Sequence, residues 1–292
     1  MWGFLNVNKP AGLTSHDVVA RVRRELRVKK VGHAGTLDPM AMGVLVLCIG
    51  AATRLSEYVM QSTKRYRARV HLGITTDTYD SEGAVREVCD PARITRETVE
   101  RSLAAFLGDI EQTPPMYSAI KQRGRKLYQL ARAGQTVERE ARSVAIEHLE
   151  ILDWSPPEFT LDVVCSAGTY IRSLAHDLGE ALGVGAHLSG LTRLASGSFT
   201  LEDAVELNTL LAAGDWQRYL IPPQVALAHW PVVRLDTAGA EHVRHGRAIR
   251  DAEADGDQLA LALTPGGDLA AVLRAADGVW RPEKVFAPEN SL

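Results

Sequence analysis

Apolar and polar residues alternate along this chain with two periods, and the switches between them mark its elements. Residues 3–8 read as a short strand closed by Lys9-Pro10-Ala11-Gly12. Thr14 and Asp17 have capping-box spacing, in which two side chains satisfy free N–H groups at a helix start. The helix they open is predicted to reach about Lys30, with Val18, Val19, Val22 and Leu26 as its apolar stripe and Arg21, Arg23, Arg24 and Arg27 off it. The apolar run 44–49 predicts a buried strand, and a helix over 52–61 follows with Leu55 and Val59 inward. Residues 66–72 alternate with strand period: Tyr66, Ala68, Val70, Leu72 and Ile74 share one face, Arg67, Arg69 and His71 the other. Residues 75–83 read as polar turn material.

The second half repeats this texture. A helix over 95–107 carries Val99, Leu103 and Phe106, with Gly108 as its stop. Residues 112–121 are extended and proline-broken; with the basic stretch and short helix after them, they predict an exposed arm over about 112–142. Strands at about 143–152 and 159–166 flank Ser155-Pro156-Pro157. Gly168 leads into a helix on Ile171, Leu174, Leu178 and Leu182, with Tyr170 and Arg172 at its first turn. Residues 200–229 read as acidic and helical. From Val232 short apolar runs alternate with turns such as Pro265-Gly266-Gly267, which predicts a small β-rich domain. The expected division is a catalytic part, 1–230, and a terminal domain, 231–292.

The densest turn chemistry lies at Gly32-His33-Ala34-Gly35-Thr36-Leu37-Asp38-Pro39, ahead of the buried strand. Pro39 fixes its own φ and biases Asp38 towards an extended conformation, so a carboxylate stands on a stiff turn. Taken alone, this loop is as readily an Asx-type turn that only caps backbone N–H groups. Tyr66 and Tyr170 in isolation are as readily core aromatics.

Charge changes the picture more than composition does. The 292 residues carry a net −3, yet residues 1–70 hold twelve Lys/Arg against four Asp/Glu, and 121–142 hold seven against two. Basic regions in an acidic chain point to a localised polyanion site, or else to solvated helix faces. Three cysteines, 48, 89 and 165, are sparse, and two fall in strand-like segments, which suits reduced thiols in the cytoplasm. No apolar run is long enough for a membrane span, and the start lacks a secretory pattern. Phosphate-binding loops, nucleophile elbows and zinc spacings are absent; His242 and His245 are a weak metal pair, and no cofactor or metal is implied.

Six segments, in order over about residues 3–200, closely resemble the TruB-type tRNA pseudouridine-55 synthases of bacteria. They are Val7 to Gly12, Gly32 to Pro39, Lys64 to Arg67, Gln112-Thr-Pro-Pro-Met-Tyr-Ser-Ala119, Cys165 to Arg172, and Gly185-Ala-His187 through Leu191-Thr-Arg193-Leu194. The end of the chain resembles, more loosely, the PUA-like RNA-binding domain of such enzymes. The resemblance implies an α+β fold: a mixed, mostly antiparallel central sheet flanked by helices, with a small β-rich PUA-like module. It implies an enzyme that works on the T arm of tRNA without cofactor or metal and converts the T-loop uridine to pseudouridine; a cytoplasmic monomer without an obligate protein partner is expected. Carried over, Asp38 attacks the flipped-out nucleotide, at C1′ or C6. Tyr66 stacks on the uracil and assists loss of the C5 proton. Arg172 pairs with Asp38 and holds it ionised. His33 fills space vacated in the T loop. Tyr170 and Leu191 line the pocket, and Lys9 supports the loop or a phosphate. Residues 21–30 and 121–132 clamp the T-arm phosphates. Two other readings remain open on the residues: an RNA-binding factor with an idle pocket, and a glycosidase, which ordinarily needs two acids.

Overall fold

The strand Met42–Ile49 is apolar on both faces, and the molecule is built on both. Leu45, Leu47 and Ile49 enter one apolar cluster, while Val44, Val46 and Cys48 enter another. A strand covered on both sides reads as a continuous apolar run, which is why 44–49 was legible. The computed structural model describes residues 2–118, 120–122, 124–251 and 254–286. Arg123 of the basic arm, the side chains of Lys121 and Lys126, and residues 287–292 of the terminal domain lie outside this description.

The central sheet has the order Val205–Glu206, Gly3–Lys9, Met42–Ile49, Ala186–Ser196, Lys64–Leu72, Glu158–Cys165, Arg142–Ser155 and Gly108–Gln112. Val31–His33 adds to Met42–Ile49, and Phe199–Thr200 to Ala186–Ser196. Two of its pairings are parallel, Val7↔Val205 and Thr192↔Met42, and the rest are antiparallel. This is the mixed, mostly antiparallel sheet that was expected, with helices on it. Helices Ser15–Glu25, Arg96–Leu103, Ile171–Ala181 and Leu207–Ala212 send Val18, Val22, Val99, Leu174, Leu178 and Leu210 into the first cluster. A second sheet, Val232–Arg234, Leu259–Leu263, Leu269–Ala276, Val279–Val285 and Ile249–Arg250, makes the small β-rich domain. Among the described residues, no helix is long and apolar enough to cross a membrane.

Several elements differ from their sequence expectation. The first helix ends at Glu25, not near Lys30, and Arg27 turns the chain at φ 54°. The expected helix 52–61 is a 3-10 segment Gly50–Arg54 followed by a short helix Ser56–Met60. Ile74 does not share the face of Tyr66: Gly73, at φ 83°, sends it into a hairpin, Ile74–Thr76 with Val85–Val88. The polar turn 75–83 therefore lies within structure, with Thr75, Thr76 and Asp80 buried. The helix over 95–107 becomes 3-10 at Ala104, and Gly108 begins a strand. The acidic stretch 200–229 contains two short strand pieces and three short helical turns. The strand Ala186–Ser196, central in the sheet, had no apolar alternation to announce it: His187, Arg193 and Ser196 are buried along with Ala186, Leu188 and Leu191.

Candidate active site

Ala186–Ser196 touches Met42–Ile49 over only two register pairs, Thr192↔Met42 and Arg193↔Gly43, but runs along the whole of Lys64–Leu72. A cleft of about 460 Å³ stands at this joint, lined by Asp38, Tyr66, Tyr170, Arg172, Leu191 and Arg193 among others. Five residues singled out by the resemblance thus share one cleft: Asp38, Tyr66, Tyr170, Arg172 and Leu191. His33 and Lys9 do not line it.

The loop before Met42 is held from outside at nearly every step. Ser15 Oγ, buried at the start of the first helix, accepts from Leu37 N at 2.8 Å and donates to Leu37 O at 3.1 Å. Gly12 N donates to Pro39 O at 2.8 Å. Lys9 is fully buried under the loop, and its ammonium donates to the carbonyls of Pro10, Leu13 and Pro39. All three N–H groups of Lys9 are so occupied, which favours loop support over a phosphate contact. Arg193 donates to Gly35 O at 3.2 Å, Thr36 O at 3.4 Å and Val44 O at 2.6 Å. Gly43, at φ 97°, lies so close to Arg193 that a Cβ there would meet its carbonyl oxygen at 2.2 Å.

The Asp38 carboxylate does not cap its own turn. It faces Arg172 at the first turn of helix Ile171–Ala181: Nη2 donates to Oδ1 at 3.1 Å and Nε lies 2.9 Å from Oδ2. Arg172 is buried and its remaining contacts fix its plane. Nη1 donates to Thr78 O at 3.2 Å and lies 3.4 Å from Asp80 Oδ2; Nη2 donates to Tyr117 O at 2.9 Å. Burial pushes the Asp38 carboxyl above the usual carboxylate range; Arg172 and Lys9 pull it down, while Asp80 adds to the push. The Tyr66 phenol is also raised, by burial first, with Arg193 opposing. His33 is lowered by burial and by the charges of Arg193 and His16, so it is neutral at pH 7.

The root of the basic arm is not exposed, contrary to expectation. Gln112 is buried and bridges to the helix start, accepting from Tyr170 N at 2.7 Å and donating to Tyr170 O at 3.0 Å. Ser173 Oγ donates to Thr113 O at 2.9 Å. Pro114, Pro115 and Ser118 are buried as well. Beyond Arg125 the arm is largely exposed. Arg21, Arg23 and Arg24 on the first helix, and Arg27 just beyond its end, are exposed, as the stripe required.

Sequence reasoning gave no role to Ser15, Asp80, Gln112 or Arg193. Asp80 fell in a stretch read as polar turn, and Ser15 stood beside the Thr14–Asp17 cap with no signal of its own. The only signal for the other two was their place inside the matching segments. Among the described residues no group of three or more His, Cys, Asp or Glu is arranged to hold a metal ion.

The chain is similar to known proteins along most of its length. The chain matches "TruB family pseudouridylate synthase (N terminal domain)" over residues 23–171 and "tRNA pseudouridylate synthase B C-terminal domain" over 172–224. It matches "tRNA Pseudouridine synthase II, C terminal" over 230–287. It is 53% identical to the tRNA pseudouridine synthase B of Symbiobacterium thermophilum over 84% of this chain and 82% of that one. Its identity to the corresponding protein of Thiobacillus denitrificans is 46% over 98% and 96%. Among solved structures, a chain of a Cbf5-Nop10-Gar1 complex superposes with a TM-score of 0.77 at 29% identity, covering 99% of this chain and 86% of that one.

Proposed function

This chain belongs to the TruB family of pseudouridine synthases, and from that premise we propose that it modifies the T-loop uridine, position 55, through Asp38. The family relationship makes it an enzyme that isomerises uridine to pseudouridine in tRNA. The single observation that carries the finer reading is the Arg172–Asp38 pair at a cleft lined by Tyr66, Tyr170 and Leu191.

The chemistry needs one fixed carboxylate and a closed space. The target nucleotide leaves the T loop, at a cost on the order of a few kcal/mol. Exposed arginines of the first helix and of the arm offset that cost by holding phosphates, and His33 fills the space left behind. Asp38, oriented by Arg172, attacks C1′ or C6 of the bound nucleotide. The C1′–N1 bond breaks, uracil turns within the cleft, and C5 bonds to C1′. The C5 proton then departs and N1 gains one, which leaves the formula unchanged. Tyr66 stacks on the base and, as a neutral phenol, relays that proton. A rigid loop keeps the carboxylate beside a detached base. The protein does this as a monomer in the cytoplasm, and the small domain adds RNA contacts.

Mass mapping of a tRNA incubated with the pure protein tests the reading: pseudouridine is expected at position 55. Asp38→Asn is expected to keep its Kd for the RNA within about threefold, while pseudouridine falls below detection. Turnover near wild type in a tritium-release assay would remove Asp38 from the mechanism. Free uracil among the products would point to a glycosidase, and tight binding without any product to an RNA-binding factor.

A further inference from the structure

Arg193 brings a charge to the cleft that no described carboxylate balances. It is 1% exposed, and no described carboxylate lies within ion-pair distance of it. A guanidinium removed from water without a counter-ion is costly to keep. Its three hydrogen bonds, all to carbonyls, take one N–H each from Nε, Nη1 and Nη2. A guanidinium has five, so these carbonyls leave one on each terminal nitrogen, and the Tyr66 hydroxyl in the cleft also hydrogen-bonds the Arg193 side chain. Arg193 lines the cleft and stands across the strand register from Tyr66. The other cations at the cleft are already engaged. Arg172 is paired with Asp38 and Asp80. The Lys64 ammonium is held by the carbonyls of Met60 and Ser62.

The base passes through an electron-rich stage by either route. Attack at C1′ sends the C1′–N1 electron pair onto uracil, giving an anion shared between O2 and O4. Attack at C6 sends the C5–C6 π pair towards C5 and O4. We propose that Arg193 is a further catalytic residue, whose charge, unpaired with any described carboxylate, and whose N–H capacity beyond its carbonyl and Tyr66 contacts stabilise this anionic base. The inference rests on the reading of Asp38 and the cleft given above. On the C1′ route, when C5 of the anion donates its electron pair to C1′, the Asp38 oxygen leaves C1′ with its own pair, and the charge passes from base to carboxylate. A fixed cation in a water-poor site suits such a moving charge, because it needs no reorganisation.

Arg193 also braces the Asp38 loop, so the test must separate the two roles. Single-turnover rates are compared for wild type, Arg193→Met and Arg193→Lys on two T-arm RNAs, one with uridine at the target and one with 5-fluorouridine. Fluorine withdraws electrons and stabilises the anionic base, which lessens the need for Arg193. On uridine, Arg193→Met is expected to be slower by about 100-fold, the scale for losing one donor to a developing anion. On 5-fluorouridine, read as loss of the C1′–N1 bond, the deficit is expected to shrink to roughly tenfold or less. Arg193→Lys is expected to recover part of the uridine rate. Equal deficits on both RNAs would leave Arg193 as a loop brace and overturn the proposal. If Arg193→Met does not fold, as read by circular dichroism, the same two-substrate comparison is made with Arg193→Lys. A wild-type protein that makes no pseudouridine would instead overturn the functional reading beneath it.

Discussion

At the scale of single residues, the site opposes burial with charge. Burial raises Asp38, Arg172 and Lys9 lower it, and Asp80 raises it again. The proposed mechanism requires an ionised Asp38, so on it activity rises with pH through the folded-state pKa of Asp38. That acid limb is expected to lie above the ordinary value of ~3.9. Asp80→Asn removes one like charge and should move the limb down, read from kcat/KM against pH; an unmoved or raised limb would disprove the Asp80 coupling. The same shift bears on stability. An acid whose pKa is higher folded than unfolded binds its proton more tightly in the folded state, so stability is lost as pH rises from ~3.9 through the folded value. Asp38→Asn removes that cost and leaves Arg172 beside Asp80. Its urea midpoint at pH 7 is expected to equal or exceed that of wild type. Gly43 carries the opposite lesson. A side chain at φ 97° against the Arg193 carbonyl is strained twice over, so Gly43→Ala should cost at least ~2 kcal/mol in urea unfolding. Asp38, Tyr66 and Arg172 were legible because each sits in a segment whose order along the chain is specific. Asp80 and Ser15 were not, because what matters about them is a partner far away in sequence.

At the scale of elements, local signals held where a local pattern exists. The capping box closes as read: Thr14 Oγ1 accepts from Asp17 N at 3.0 Å, and Asp17 Oδ2 accepts from Thr14 N at 2.9 Å. The buried run 44–49 and the alternation of 66–72 are strands. Elements failed where both faces are buried and polar side chains lie inside. Ala186–Ser196 carries a buried arginine, histidine and serine that no periodicity rule expects in a central strand. The arm failed for a similar reason: its prolines suggested exposure, yet its root is fastened to the helix that bears Arg172. Gln112→Ala tests that fastening. It leaves the Tyr170 backbone N–H without its partner, for a loss of about 1–3 kcal/mol. Because Tyr170 and Arg172 sit on that first turn, kcat should fall as well, while KM for the RNA stays near wild type. A pure stability loss with kcat intact would make the bridge structural only.

At the scale of the whole molecule, the two sheets share a core. Phe4, Val44, Val46, Cys48, Leu55 and Val59 pack in one apolar cluster with Leu261, Leu263, Leu269, Val272 and Phe286 of the small domain. Trp2 stacks on Phe286 with ring centroids 5.1 Å apart. Polar contacts cross the same joint: Tyr58 donates to Glu283, Lys284 pairs with Glu57, and Arg54 Nη1 donates to Val285 O at 2.6 Å. The change of texture at Val232 announced a small β-rich unit but gave no hint of this joint, since a shared face looks in sequence like two separate cores. The outer face of Met42–Ile49 is therefore covered partly by the small domain. A chain ending at residue 230 uncovers that face. Each large apolar side chain so exposed costs about 1.5–3 kcal/mol, and a kcal/mol shifts Tm by roughly 2–4 °C at this size. The shortened chain should thus lose roughly 10 °C or more in Tm, together with RNA affinity. Affinity lost at an unchanged Tm would mean that the small domain only adds RNA contacts. A lower Tm is the outcome expected if it also holds the back of the strand that Asp38 precedes.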